Sequence, residues 1–391
     1  MRALLSRLKA IGRREIGLFS RRPLFLFTMI VAPLVCLVFF ITLMADGLPT
    51  KLPAGWVDED DTHITRIAGR TIGSMPEVNL TKRYANFSDA RAAVQRGEIY
   101  GFFYIPRGMT EEALAQRQPK ISFYTNECYY VPGNLLMKDF RFTSELTGLA
   151  LTRETLYGKG QTNHSAMGII QPICIETHPL GNPYLNYSAY LNNLIVPGLL
   201  ILLTMLCTTY TIGWEWKRGT QRELYALSGH SSVVALTGKL LPQTLLFSLM
   251  FVCMDVCFYR FAGFPLRSPM SHMVVLGVVT VLASQAFGVF LSGLFMGQMR
   301  LPMCLCSLWG ILSFSLAGFT YPVSAMHPVL QSLAWLFPLR HYYLIYVNQA
   351  LDGYALDYVW PSVVGLLAFL LLPLLTIRRY RAAFLKQTYI P

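Results

Sequence analysis

Residues 23–45 read PLFLFTMIVAPLVCLVFFITLMA, with no charged side chain. A run of roughly 20 apolar residues is what a helix needs to cross the hydrocarbon core of a bilayer. Inside lipid the backbone must satisfy its own polar groups, so such a run is helical. Five more stretches have this character, at about 189–213, 233–259, 272–297, 301–320 and 359–377. With 53% hydrophobic and only 14% charged residues, the chain is too apolar for a soluble protein of 391 residues. The expected fold class is an α-helical polytopic membrane protein with six transmembrane helices.

The placement of Lys and Arg predicts the orientation. Residues 1–22 carry Arg2, Arg7, Lys9, Arg13, Arg14, Arg21 and Arg22 against Glu15 alone, and such clusters stay on the cytoplasmic side. Six spans return the chain to that side, where a tail at 378–391 holds Arg378, Arg379, Arg381 and Lys386. The +12 net charge thus sits at the inner edges, facing anionic lipid headgroups rather than nucleic acid. Leu4, Leu5, Leu8, Ile11, Ile16 and Phe19 form one apolar face in 1–22, as in an amphipathic helix lying in the interface. The run at 23–45 exceeds a signal-peptide core, so an uncleaved anchor is expected.

Between the first two spans lies an extracytoplasmic segment, 46–188, of nearly balanced charge. Alternating apolar residues predict strands at 54–58, 78–84, 99–105 and 120–125, with helices near 62–73, 88–96, 110–116 and 135–156. It is expected to be a mixed α/β domain with a flexible end over 158–188. Six of the eight cysteines lie in predicted spans and read as small packing residues, with no His or carboxylate completing a metal shell. Cys128 and Cys174 stand alone in the outer segment as a candidate disulfide.

No catalytic constellation is present: neither G-x-S-x-G, nor H-E-x-x-H, nor a phosphate-binding G-x-x-x-x-G-K-[ST] occurs. The chain is not expected to be an enzyme or to bind ATP or a metal itself. Asp255 falls within the third span, where a carboxylate is costly and often functional; Arg260, a turn away, water or another helix offers it a partner. Gln285 in the fourth span is a second candidate for a polar path, and equally for a bridge between packed helices.

Two segments interrupt the apolar pattern. Residues 214–231, WEWKRGTQRELYALSGHS, place a short charged helix between the second and third spans. Gly219 breaks the chain, Thr220 and Glu223 have the spacing of a capping box, Leu224 and Leu227 give apolar contacts, and Gly229 ends the turn. A simple reversal needs only a few residues, so a rigid helix here suggests a docking surface, with Glu215 at the membrane edge anchoring it. In 320–350, Pro322, Pro328 and Pro338 exclude one continuous span and predict a re-entrant pair of short helices on the outer face.

The sequence Trp214-Glu-Trp-Lys-Arg-Gly-Thr-Gln-Arg-Glu-Leu, followed by Gly238-Lys-Leu-Leu-Pro, resembles the E-x-x-x-G-T-x-E-x-L…G-K-x-x-P pattern of ABC-2 type transport permeases, displaced by one residue. Gly318-Phe-Thr-Tyr-Pro322-Val-Ser-Ala-Met326-His-Pro328 is similar to that family's outer segment. Trp56-Val-Asp-Glu-Asp and Gly101-Phe-Phe-Tyr-Ile-Pro stand where its large outer insertion would place them. The resemblance implies a permease subunit that pairs with a second copy or a paralogue and with a dimer of cytosolic ABC ATPases, which bind ATP and Mg2+. Residues 219–229 would be the coupling helix. The setting would be a bacterial inner membrane with a periplasmic outer domain, and it leaves room for a periplasmic adaptor and an outer-membrane channel. The cargo class would be a drug, lipid or other hydrophobic compound. The alternatives are an ion-coupled secondary transporter using Asp255, a lipid-modifying membrane enzyme, and a membrane-anchored ligand-binding or sensory protein.

Overall fold

A computed structural model describes all residues except Met1, Gln116, Gln118, Ile173, Cys174, Ile175, Thr177, Tyr184, Gln387 and Pro391. The chain divides into two compact units, one of Asp46–His178 and one of Met1–Ala45 with Pro179–Pro391.

In the larger unit, five helices among the described residues are long and apolar enough to cross a membrane: Pro23–Leu43, Tyr187–Arg218, Ser232–Phe261, Met270–Leu294 and Leu356–Lys386. Arg300–Leu316, within the stretch expected as the fifth of six spans, has 17 residues and falls short of that length. It stops where Gly318 turns into the left-handed region at φ 91°. The second and fourth long helices pack together and form the centre of the unit, each with 67% of its apolar window buried. The first and last have 22% buried, and expose apolar side chains such as Val35, Val38, Phe39 and Leu374.

Pro197 and Pro242 lie inside the second and third long helices. Hydroxyls also bond the helix backbone: Thr204, Thr208 and Thr211 each donate to the carbonyl four residues earlier. In the second helix these side chains are buried and satisfied without water. The basic residues Arg378, Arg379, Arg381 and Lys386 lie on the last helix, where Tyr380 and Phe384 are buried one turn apart and hold it against the unit.

The smaller unit contains a four-stranded mixed sheet in the order β2-β1-β3-β4, with β1 Leu52–Asp58, β2 Val78–Tyr84, β3 Gly101–Ile105 and β4 Ser122–Thr125. β1 runs parallel to β2 and β3, and β4 is antiparallel to β3. Trp56 and Phe103 point to one face and Val57 and Phe102 to the other; all four are buried, so helices cover both faces. Helix Phe87–Gln95 is capped by Asn86, whose side chain accepts from the Asp89 amide. The stretch expected to be flexible holds a helix, Asn163–Ile170, started by the Thr162 hydroxyl accepting from the Ser165 amide.

Candidate functional site

The interruption at 214–231 folds as a helix clamped at the end of the second long helix. That helix runs through Arg218 and ends at Gly219, whose φ of 73° favours a residue without a Cβ. A short helix, Gln221–Leu227, follows, and the third long helix starts at Ser232 with Ser231 as its cap. The expected capping box does not form. Thr220 makes no cap; its hydroxyl donates to Glu215 Oε2 at 2.7 Å. A buried carboxylate is a stronger acceptor than the alternatives open to the hydroxyl, and it draws the side chain away from the helix start.

Glu215 is 1% exposed and lies at the centre of a charged ring. Its two carboxylate oxygens accept from Nη1 and Nη2 of Arg14, both at 3.0 Å, and Oε1 also accepts from Lys239 Nζ at 2.6 Å. Lys239 Nζ donates in turn to Glu15 Oε2 at 2.8 Å, and Arg14 Nη1 donates to Glu15 Oε1 at 2.6 Å. Two cations and two carboxylates therefore alternate in a closed circuit of zero net charge. Glu15 and Lys239 are 0% and 2% exposed, and an ion so placed is tolerated only when paired and hydrogen-bonded. Burial by itself acts to lower the Arg14 pKa; the hydrogen bond to Glu215, then the charges of Glu215, Glu15 and Glu223, leave it raised above its ordinary value.

The ring joins three chain segments that are remote in sequence: the N-terminal helix Arg2–Ser20, the end of the second long helix and the start of the third. Apolar contacts frame it. Ile11 is fully buried against Gly238, where a Cβ would come within 3.0–3.1 Å of its side chain. Phe384 stacks on Tyr225 at 5.2 Å and on Trp216 at 5.3 Å, which ties in the last helix. Arg22 lies over Trp214 at 4.0 Å. The short helix thus has two faces. Leu224 and Tyr225 are buried, while Arg222, Glu223, Ala226 and Leu227 are exposed.

The family described as ABC-2 family transporter protein matches residues 23–377, most of the chain. The chain belongs to that family. This ABC-2 permease is also 27% identical, over 229 residues, to the probable multidrug ABC transporter permease YbhR of Escherichia coli K12, and equally to that of Escherichia coli O157:H7. The aligned part is 55% of the permease and 56% of each relative, so it spans about half the length of the curated relatives it matches.

Of the residues singled out in the permease sequence, the structure brings Glu215, Thr220 and Glu223 together around Arg14, with Glu223 at 3.7 Å from its Nε. Leu224 is buried beside them, Gly219 turns the chain, and Leu227 lies on the exposed face. Arg14 and Glu15 stand in the sequence only as charges of the N-terminal helix, and Lys239 only as part of the Gly238-Lys motif, with no role in this site. One signal was present, since Glu15 is the lone acid among seven cations in residues 1–22.

The other candidates lie elsewhere in the permease. Pro322 precedes a 3-10 turn, Val323–Ala325, and Pro328 and Pro338 each open a short helix, Pro328–Ala334 and Pro338–Tyr346. Proline fits a first helical turn, where its missing N–H loses no bond. Gln331 Nε2 donates to the Met326 carbonyl at 2.9 Å, and Arg340 Nη1 reaches the Ala317 carbonyl beside Gly318 at 3.2 Å. Gln285 Oε1 accepts from Thr244 at 2.7 Å and so bridges the third and fourth long helices. Asp255 is buried, its Oδ2 has no hydrogen-bond partner among the described residues, and Arg260 is exposed and does not pair with it. Cys128 is exposed; Cys174, its expected partner, lies outside the described residues.

Proposed function

We propose that the permease is the membrane subunit of an ATP-driven exporter that moves a hydrophobic or amphipathic compound, such as a drug or lipid, out across a bacterial inner membrane. A dimer of cytosolic ABC ATPases supplies the energy and holds the ATP and Mg2+; a second permease copy or paralogue completes the path. Six spans, including the shorter Arg300–Leu316, place both termini in the cytoplasm and 46–188 in the periplasm, in keeping with the basic residues at 1–22 and 378–391. The reading is carried by the two faces of Gln221–Leu227: one held against the charged ring, the other open to a partner. A helix so held transmits a push from the ATPase to the second and third long helices as a rigid-body motion. Gly318, Pro322, Met326, Pro328 and Pro338 belong to the outer gate.

The deciding experiment is reconstitution in vesicles with a candidate Walker-motif ABC ATPase from the same organism. ATP-dependent uptake of a lipophilic dye into inverted vesicles is expected; uptake indifferent to ATP and to the ATPase contradicts the reading. Cysteine labelling in whole cells, from a cysteine-free background, should reach position 90 from outside but not position 222.

A second reading, ion-coupled transport through Asp255, draws on the unpartnered Oδ2. It requires dye movement to collapse with the proton gradient and with Asp255→Asn in the absence of ATP.

A further inference from the structure

Three cations surround the half-buried indole of Trp214, near the end of the second long helix. Lys217 and Arg218 follow it by three and four positions and so share its helix face; Lys217 Nζ lies 5.5 Å and the Arg218 guanidinium carbon 5.0 Å from the ring centroid. Arg22 comes from a separate element, the turn between Arg2–Ser20 and Pro23–Leu43, and its guanidinium carbon lies 4.0 Å over the same ring. A ring attracts a cation, but three cations at one indole repel one another. Among the described residues none of the three forms an ion pair. Glu215, next to Trp214 in the chain, is taken up by Arg14, Lys239 and Thr220, and Glu15 by Arg14 and Lys239. The protein therefore supplies three positive charges here and no negative one to match them.

The cluster stands where one membrane-length helix begins, at Pro23, and another ends, at Arg218. Tryptophan, lysine and arginine meet lipid headgroups at that level. Along the same face of the second long helix run Tyr210, Leu206 and Leu203, half-buried and spaced by three or four residues. An apolar stripe thus leads from the cations into the span.

We propose that Arg22, Lys217 and Arg218 bind the phosphate of one anionic phospholipid, whose acyl chains lie along Tyr210 and Leu206. Guanidinium forks match phosphate oxygens, and the ammonium adds a point charge. Phosphatidylcholine is disfavoured because its trimethylammonium would bring a fourth cation to the cluster. Free phosphate offers the same oxygens but gains nothing from the stripe. A site of stated residues differs from the diffuse attraction of a chain of net charge +12 to an anionic surface. It does not depend on the docking role given to Gln221–Leu227, and its test measures no transport.

The test titrates the full chain in dodecylmaltoside with phosphatidylglycerol and with phosphatidylcholine of identical acyl chains, and counts bound lipids by native mass spectrometry. The first phosphatidylglycerol is expected to bind about tenfold more tightly than phosphatidylcholine, and excess inorganic phosphate should not displace it. Each cation is worth about fivefold, so Arg22→Gln and, separately, Lys217→Gln should weaken phosphatidylglycerol by that factor and leave phosphatidylcholine unaffected. Arg22→Lys should keep most of the affinity. Arg378→Gln, which removes an equal charge from an exposed position on the last helix, should leave the first binding event unchanged. Equal binding of the two lipids by the unmodified chain overturns the proposal, with no variant required to fold. So does an equal loss in Arg22→Gln and Arg378→Gln, which marks diffuse attraction, and so does displacement of the lipid by inorganic phosphate, which marks a soluble source.

Discussion

Arg14 and Glu215, 201 positions apart in sequence, meet in a two-pronged ion pair in which each guanidinium Nη lies 3.0 Å from a carboxylate oxygen. This contact makes the N-terminal helix part of the frame that holds Gln221–Leu227, rather than a helix resting on lipid alone. Glu15 and Lys239 close the circuit.

The ring should behave as one unit. Lys239→Met leaves two buried carboxylates facing one guanidinium and is expected to destabilise the permease by ~3–5 kcal/mol. Adding Glu15→Gln restores neutrality around the intact Arg14–Glu215 pair, so the double variant should recover most of that loss. Thermal unfolding in detergent of the two single variants and the double variant checks this. Additive losses would show that the four side chains do not share one circuit.

Gly219 is required by its backbone conformation, φ 73°, and a Cβ placed there would meet no neighbouring atom. Gly219→Ala is expected to destabilise by about 1–2 kcal/mol and to slow transport, whereas Gly219→Asn, which tolerates the left-handed region, should keep most of both. Equal behaviour of Ala and Asn in unfolding and transport assays would place the cause elsewhere.

In the smaller unit, burial and a hydrogen bond with Glu77 push the Asp139 carboxyl up to about 7. Burial also acts to raise Glu77, but the hydrogen bonds from Lys138, at 2.9 Å, and from Asp139 outweigh it and hold Glu77 below its usual value. Unfolded, an Asp carboxyl titrates at about 3.9. Between that value and about 7 the folded chain therefore binds more protons than the unfolded chain, and stability falls as pH rises through this window. The Glu77 contribution has the opposite sign and is lost only under acid conditions, as pH falls through its lowered value. Hydrogen exchange of the Leu136–Phe140 backbone, corrected for intrinsic rates, should thus show more protection at pH 5.5 than at pH 8. Asp139→Asn should flatten the difference; an unchanged slope would refute the assignment.

Much of this was legible in the sequence, for identifiable reasons. The apolar lengths marked the long helices, and the period-two pattern around Trp56 and Phe103 marked the strands within a few residues. What escaped was long-range pairing. Arg14 lies on a basic amphipathic helix whose charges were assigned to headgroups, and nothing local reveals that one turn of that helix faces inward at Glu215. The capping box failed for a related reason: spacing alone assigns the Thr220 hydroxyl to its own helix, and the competing acceptor, Glu215, is visible only once the chain has turned at Gly219. Arg300–Leu316 is the reverse case, an apolar stretch cut short by the backbone turn at Gly318.

The central claim is that the exposed face of Gln221–Leu227 receives the ATPase, and Glu223→Lys tests it most directly. Glu223 is 61% exposed, and its approach to Arg14 is 3.7 Å, so reversing its charge should change permease stability by no more than about 0.5 kcal/mol. A carboxylate paired with a basic residue across a desolvated interface is worth far more, on the order of 2–5 kcal/mol when lost. Co-purification of the ATPase, unfolding of the permease and ATP-driven vesicle transport should be measured on the same preparations. The predicted result is a folded permease that no longer retains its ATPase and no longer transports; a folded variant that transports normally would contradict the account.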